Sequence, residues 1–133
     1  MKATELRLGN LVSNMYEKTA RVREIHEYPS WTGGFLVITD ENKSAITTLR
    51  PISLTPEWLE KLGALKDEYG DVFIEVDSDL DIRLYLSTRG YMQLVKSYHC
   101  PMFDYEHIKH VHQLQNLFFA ITGEELTIKE VQK

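Results

Sequence analysis

The sequence predicts an α+β fold, and three observations carry that prediction. Short strand-forming runs separated by turn residues fill the first fifty positions, a second set of such runs lies between Val72 and Val95, and two segments have helical spacing. The expected architecture is a small bent antiparallel N-terminal sheet, a bridging helix near 56–63, an antiparallel meander over 72–95 and a C-terminal helix at about 112–122. An SH3-like barrel is the closed form open to the N-terminal strands. A chain of 133 residues has the size of one domain and should bury about two-thirds of the surface of its unfolded state. Within a single domain over 1–133, the pattern separates a β-rich lobe at 1–54 from an α+β lobe at 55–133, with the helix at Pro56 joining two apolar faces too small to hide themselves.

In the first lobe, Gly9-Asn10 precedes Leu11-Val12, and Asn14 to Lys18 has the composition of a hairpin connection. Ala20 to Tyr28 alternates apolar with charged residues until Pro29-Ser30-Trp31-Thr32-Gly33-Gly34 breaks the run. Phe35 to Thr39 is rich in strand formers, Asp40 to Lys43 turns the chain, and Ser44 to Leu49 continues as a strand. The helix start is sharper, because every residue suits its place. Thr55 can cap an orphan amide, Pro56 fits the first helical position, Glu57 complements the positive helix end, and Leu54 can staple against Leu59. Trp58, Leu59 and Leu62 form the expected buried side, with Trp58 as a core anchor, and Gly63 stops the helix.

Val72–Val76, Ile82–Leu86 and Tyr91–Val95 have the spacing of a meander. Lys96 to Glu106 reads as irregular, with Pro101 interrupting any central strand, and His107 to Val111 as a further short strand. Val111, Leu114, Leu117 or Phe118, and Ile121 recur at three- and four-residue steps, so they share one helical face, and Gly123 supplies a left-handed stop. His112, Gln113, Gln115 and Asn116 fall on the flanks, where their polar groups can bond neighbouring backbone.

Composition sets exclusions. A hydrophobic content of 43% supports a real core. No apolar run approaches the roughly 20 residues of a membrane span, and the first residues lack an apolar secretory segment, so a cytoplasmic protein is expected. Cys100 is the only cysteine, which excludes an intrachain disulfide and a cysteine-based zinc framework. A formal charge of −5 disfavours nucleic acid, whose affinity rests on Lys and Arg neutralising phosphates.

Three segments, Leu6 to Val12, Pro51 to Leu59 and Val111 to Leu126, together resemble a family of short uncharacterised proteins encoded by Bacteroidetes and their phages. The most distinctive string is His112-Gln113-Leu114-Gln115-Asn116-Leu117, followed by Thr122-Gly123-Glu124-Glu125-Leu126. The resemblance implies a bacterial or phage setting and one full-length unit, and it brings no activity, cofactor or catalytic residue with it.

Several motifs invite chemistry. Four of the histidines lie between 99 and 112, and His99, His107, His110 and His112 could ligate zinc with a water in the open position. They lack the helix-borne His-Glu-x-x-His arrangement, and if His112 begins the helix its ring serves capping or packing. Cys100 beside His99 suggests a thiolate, but no oxyanion donor or orienting carboxylate accompanies it. Asp77, Asp79 and Asp81 resemble the opening of a calcium loop, yet Ile82 replaces the turn glycine and Thr88 the closing glutamate, so a solvated hairpin turn fits better. Aromatic residues make the better interaction candidates: Tyr28 and Trp31 in the glycine-rich loop, and Tyr98, Phe103 and Tyr105 in a second region.

With no complete catalytic constellation and no cofactor motif, the sequence points to a noncatalytic cytosolic binding or assembly module. The partner is an unidentified protein or a second copy paired at an open strand edge, and the resemblance adds a phage or mobile-element accessory role. The rivals are a metal-dependent hydrolase using the His99–His112 cluster and a small-molecule binder that sequesters nucleotides.

Overall fold

A computed structural model describes residues 5–27, 35–41, 43–45, 48–87, 89–96 and 100–129. The fold is α+β, as the sequence predicts. Two compact units form, one from residues 1–53 with 110–116, the other from 54–109 with 117–133. The division therefore does not fall at a single position near 54, because the opening residues of the C-terminal helix belong with the N-terminal sheet.

The first unit holds β1 (Leu11–Ser13), β2 (Thr19–Glu27), β3 (Phe35–Thr39) and β4 (Lys43–Ala45), in the spatial order β1-β2-β3-β4 and antiparallel throughout. The β1–β2 turn is built by Asn14, whose Oδ1 accepts the amides of Tyr16 and Lys18 at 2.9 and 3.0 Å. Along β2, Ala20 and Val22 point inward, and a register shift between Val22 and Glu24 then breaks the alternation. Leu6, Val12, Val22, Val37 and Leu49 form the core, with Ile25 and Phe35 packed against it. Each such side chain contributes about 1.5–3 kcal/mol by leaving water. The sheet does not close into an SH3-like barrel among the described residues. Past β4, a single bridge between Ser13 and Arg50 returns the chain to β1, and Leu49 is a core residue outside any strand.

The second unit holds α1 (Pro56–Lys61) and a five-stranded antiparallel meander of β5 (Leu65–Lys66), β6 (Val72–Asp77), β7 (Ile82–Leu86), β8 (Met92–Lys96) and β9 (Cys100–Tyr105). At the start of α1, Thr55 Oγ1 accepts the Trp58 amide at 3.2 Å. Leu59 and Leu62 are fully buried and the helix packs on β6, as the apolar spacing requires. Trp58 corrects one expectation. It is only half-buried, and the Lys61 ammonium lies 4.5 Å from its ring centroid, so it flanks the core instead of anchoring it. The sheet exceeds the expected three strands at both edges. Pro101 does not prevent β9, because β9 is an edge strand, where a missing N–H costs no ladder bond on the outer side. The Asp77–Asp81 segment is a hairpin turn in which Asp77 Oδ1 accepts the amides of Asp79 and Leu80.

Helix α2 (Val111–Thr122) starts one residue earlier than expected, and the expected strand over His107–Val111 is a turn followed by a lone bridge from His110 to Ser53. Gln113 caps the helix, its Oε1 accepting the His110 amide at 3.0 Å. Within the first unit, Gln115 Oε1 accepts the Leu11 amide at 2.8 Å and Asn116 Nδ2 donates to the Glu5 carbonyl at 2.7 Å. Amide bonding to backbone is thus as the sequence suggested, but His112 and Gln115 are buried, not flanking. At the far end Ile121 is exposed, and the buried stripe runs through Val111, Leu114 and Phe118. Gly123 stops the helix at φ 75°, with its amide on the Phe119 carbonyl.

Candidate ligand cleft

A cleft of about 470 Å³ lies on one face of the five-stranded sheet. Strand periodicity builds its floor. Tyr85 and Ser87 are two apart on β7 and its extension, Tyr91 just before β8 and Gln93 and Val95 on it are two apart, and Tyr85 pairs directly with Gln93. A β7–β8 turn closes one end, where Ser87 Oγ accepts the amides of Arg89 and Tyr91, both at 3.3 Å. Gly90, at φ 86°, supplies the left-handed step of that turn. The β5–β6 turn forms one wall. There Asp67 Oδ1 accepts the amides of Tyr69 and Asp71, each at 2.9 Å, and so fixes the backbone that carries Tyr69 over the cleft.

Two residues before Tyr85 on β7 and therefore on the same face, Arg83 organises the aromatic groups. Its guanidinium carbon sits 4.2 Å from the Phe73 ring centroid, Nη1 donates to the Tyr85 hydroxyl at 3.2 Å, and Nε lies 3.4 Å from Asp81 Oδ1. Phe73 and Tyr85 are 5.3 Å apart between ring centroids, so the Tyr85 ring is held on one side by an aromatic neighbour and at its hydroxyl by a cation. Desolvation lifts the Tyr85 phenol above its ordinary range, and the opposing pull of Arg83 is the weaker influence. For Asp67, desolvation acts upward, but the amides of Asp71 and Tyr69, with the Tyr85 hydroxyl and Arg83 charge added, hold the carboxyl below its usual range.

Among the described residues, the Asp71 carboxylate, the Arg89 guanidinium and the Tyr69 and Tyr91 hydroxyls make no side-chain hydrogen bond or ion pair. Gln93 commits its amide nitrogen to Asp104 Oδ1 at 2.9 Å and keeps its carbonyl oxygen. The result is a fixed aromatic floor edged by donors and acceptors that solvent or a ligand must satisfy.

The residues singled out from sequence are placed elsewhere. Tyr28, Trp31, Tyr98 and His99 lie outside the described residues. Phe103 and Tyr105 are on β9 with ring centroids 4.7 Å apart, and Phe103 is exposed. Pairing Phe103 with Leu94 and Tyr105 with Met92 puts them on the opposite side of the sheet from Gln93. His107 packs edge-on to Tyr105 in the second unit. In the first unit, the His110 and His112 rings stack with centroids 5.9 Å apart, and His110 Nδ1 is 3.1 Å from Gln113 Oε1. His112 is 1% exposed, neither ring nitrogen has a hydrogen bond among the described residues, and Glu5 Oε2 is 3.6 Å from Nε2. No group of three or more His, Cys, Asp or Glu side chains able to hold a metal ion occurs among the described residues.

No family model, curated protein or solved structure matches the chain. None of its helices among the described residues is long and apolar enough to cross a membrane.

Sequence reasoning missed Asp67, Tyr69, Tyr85, Arg89 and Tyr91. A signal existed in the alternations Tyr85-x-Ser87 and Tyr91-x-Gln93, each of which puts polar and aromatic side chains on one side of an extended chain, and in Asp67 to Asp71, where Asp67 and Gly70 are turn formers.

Proposed function

We propose that this chain is a noncatalytic binding module whose ligand site is the cleft floored by Tyr85, Tyr91 and Gln93. The observation that carries the reading is the contrast inside that cleft. Tyr85 and Asp67 are locked by Arg83 and by backbone amides, whereas Asp71, Arg89, Tyr69 and Tyr91 present unspent polar groups. Locked positions with unsatisfied edges are the condition for binding without large ordering cost.

The environments of Asp67 and Tyr85 do not favour general acid–base chemistry by either group. A general acid or base works best with a pKa near the operating pH, and here the carboxyl is pushed down and the phenol up, both away from neutrality. A phage or mobile-element setting, a cytoplasmic location and an assembly partner are compatible with this role and rest on the sequence alone.

Thermal-shift screening against a chemically mixed small-molecule library tests the reading, comparing the natural chain with a Tyr69→Ala/Arg89→Ala double variant. Both positions are exposed, so the variant should fold. The expected result is at least one compound that raises the melting midpoint of the natural chain and not that of the variant. Stabilisation that is always equal in the two proteins would contradict a ligand site at the cleft.

A further inference from the structure

We infer that the cleft takes a neutral, polyhydroxylated ligand, a saccharide, an inference that rests on the cleft being the ligand site. Charge narrows the choice first. Asp67 and Asp71 set two carboxylates against the single guanidinium of Arg89 in the lining, and the Arg83 charge next to Tyr85 is offset by Asp81 at 3.4 Å, so a phosphate or carboxylate ligand meets an excess of like charge. A cationic ligand is attracted by the two acids but must approach the unpaired Arg89, and burying it there leaves like charges face to face. A neutral ligand meets neither penalty.

The polar groups narrow it further. A sugar hydroxyl both donates and accepts, and the cleft edge offers both functions: acceptors in the Asp71 carboxylate and the Gln93 carbonyl oxygen, a donor in Arg89, and amphoteric hydroxyls on Tyr69 and Tyr91. A purely apolar ligand would leave these groups desolvated and unpaired, at a cost per group that exceeds what a stacked ring returns. The tyrosine rings meanwhile offer flat apolar faces for the C–H face of a pyranose. Because Tyr85 is held in place by Phe73 and Arg83, that platform exists before the ligand arrives. The volume of about 470 Å³ suits one or two sugar rings.

Amide chemical shifts of the isotope-labelled chain, followed during separate titrations with methyl glucoside, maltose, adenosine monophosphate and choline, test the inference. The expected result is a saturable shift confined to residues 67–71 and 85–95 with at least one of the two sugars. Tyr69→Ala should weaken that binding about fivefold, the loss of one stacked ring, without disturbing the remaining amides. If adenosine monophosphate or choline shifts those residues and neither sugar does, the ligand class is overturned while the cleft stands as the site. If none of the four probes shifts them, the saccharide inference fails, while the cleft reading stands or falls separately with the library comparison of the natural chain and the double variant.

Discussion

His112 is an imidazole enclosed where it makes no hydrogen bond among the described residues. Desolvation pushes its pKa below the ordinary histidine value; the nearby Glu5 carboxylate opposes that shift and His110 adds to it. The folded chain therefore keeps this ring neutral where the unfolded chain takes up a proton. Below about pH 6.5 the unfolded state binds the extra proton, so stability falls as pH drops through that value and continues to fall until the folded ring also protonates. His112→Gln removes the titration, and its urea midpoint should decline less between about pH 7.5 and about pH 5.5, which lie either side of the free imidazole value. Parallel declines would mean that His112 does not govern the acid sensitivity. Its helical position was readable in the sequence, but its burial was not. Gln115 is buried with partners a hundred residues away in sequence: Gly9 and Asn10 before β1, and Leu11 at its start.

Helix α1 was the element most legible in advance, because its signals are local. Thr55, Pro56 and Glu57 act within one turn, and Gly63 ends the helix with φ at 93°. A Cβ at that glycine would meet the Lys129 side chain at 2.9 Å as well as adopt an unfavourable backbone angle. Gly63→Ala should therefore cost about 1 kcal/mol or more in denaturant unfolding, while Gly63→Asn, which tolerates left-handed backbone, should cost less. Equal losses for the two variants would count against the backbone explanation. Strands β5 and β9 were harder to see for a physical reason. Each is an edge strand paired on one side only, β5 spans just two residues and β9 contains Pro101, so neither shows a strong strand pattern of its own. The cleft was legible only in part, because alternation along one strand is local and the pairing that brings strands together is not. Tyr85 and Gln93 become neighbours through the β7–β8 register, and the Asp67–Asp71 turn joins them only once β5 has paired with β6.

Across the whole molecule, chain order and spatial grouping differ. The first unit is incomplete without residues 110–116, since Gln115 bonds both Leu11 and Gly9 and Asn116 bonds Glu5. A chain ending at His110 leaves those backbone groups unpaired and removes the buried Val111 and Leu114. It should lose the cooperative unfolding transition that the full chain shows in urea, and a transition of undiminished sharpness would contradict this shared construction. The central claim remains that the sheet face bearing Tyr85 and Gln93 is where this molecule binds. A crystallographic screen, soaking the full-length chain with a library of small polar and aromatic compounds, tests it most directly. The account predicts ordered compounds over the Tyr85 and Tyr91 rings with polar contacts to Asp71 or Arg89; compounds gathering repeatedly at another surface, with that face left bare, would contradict it.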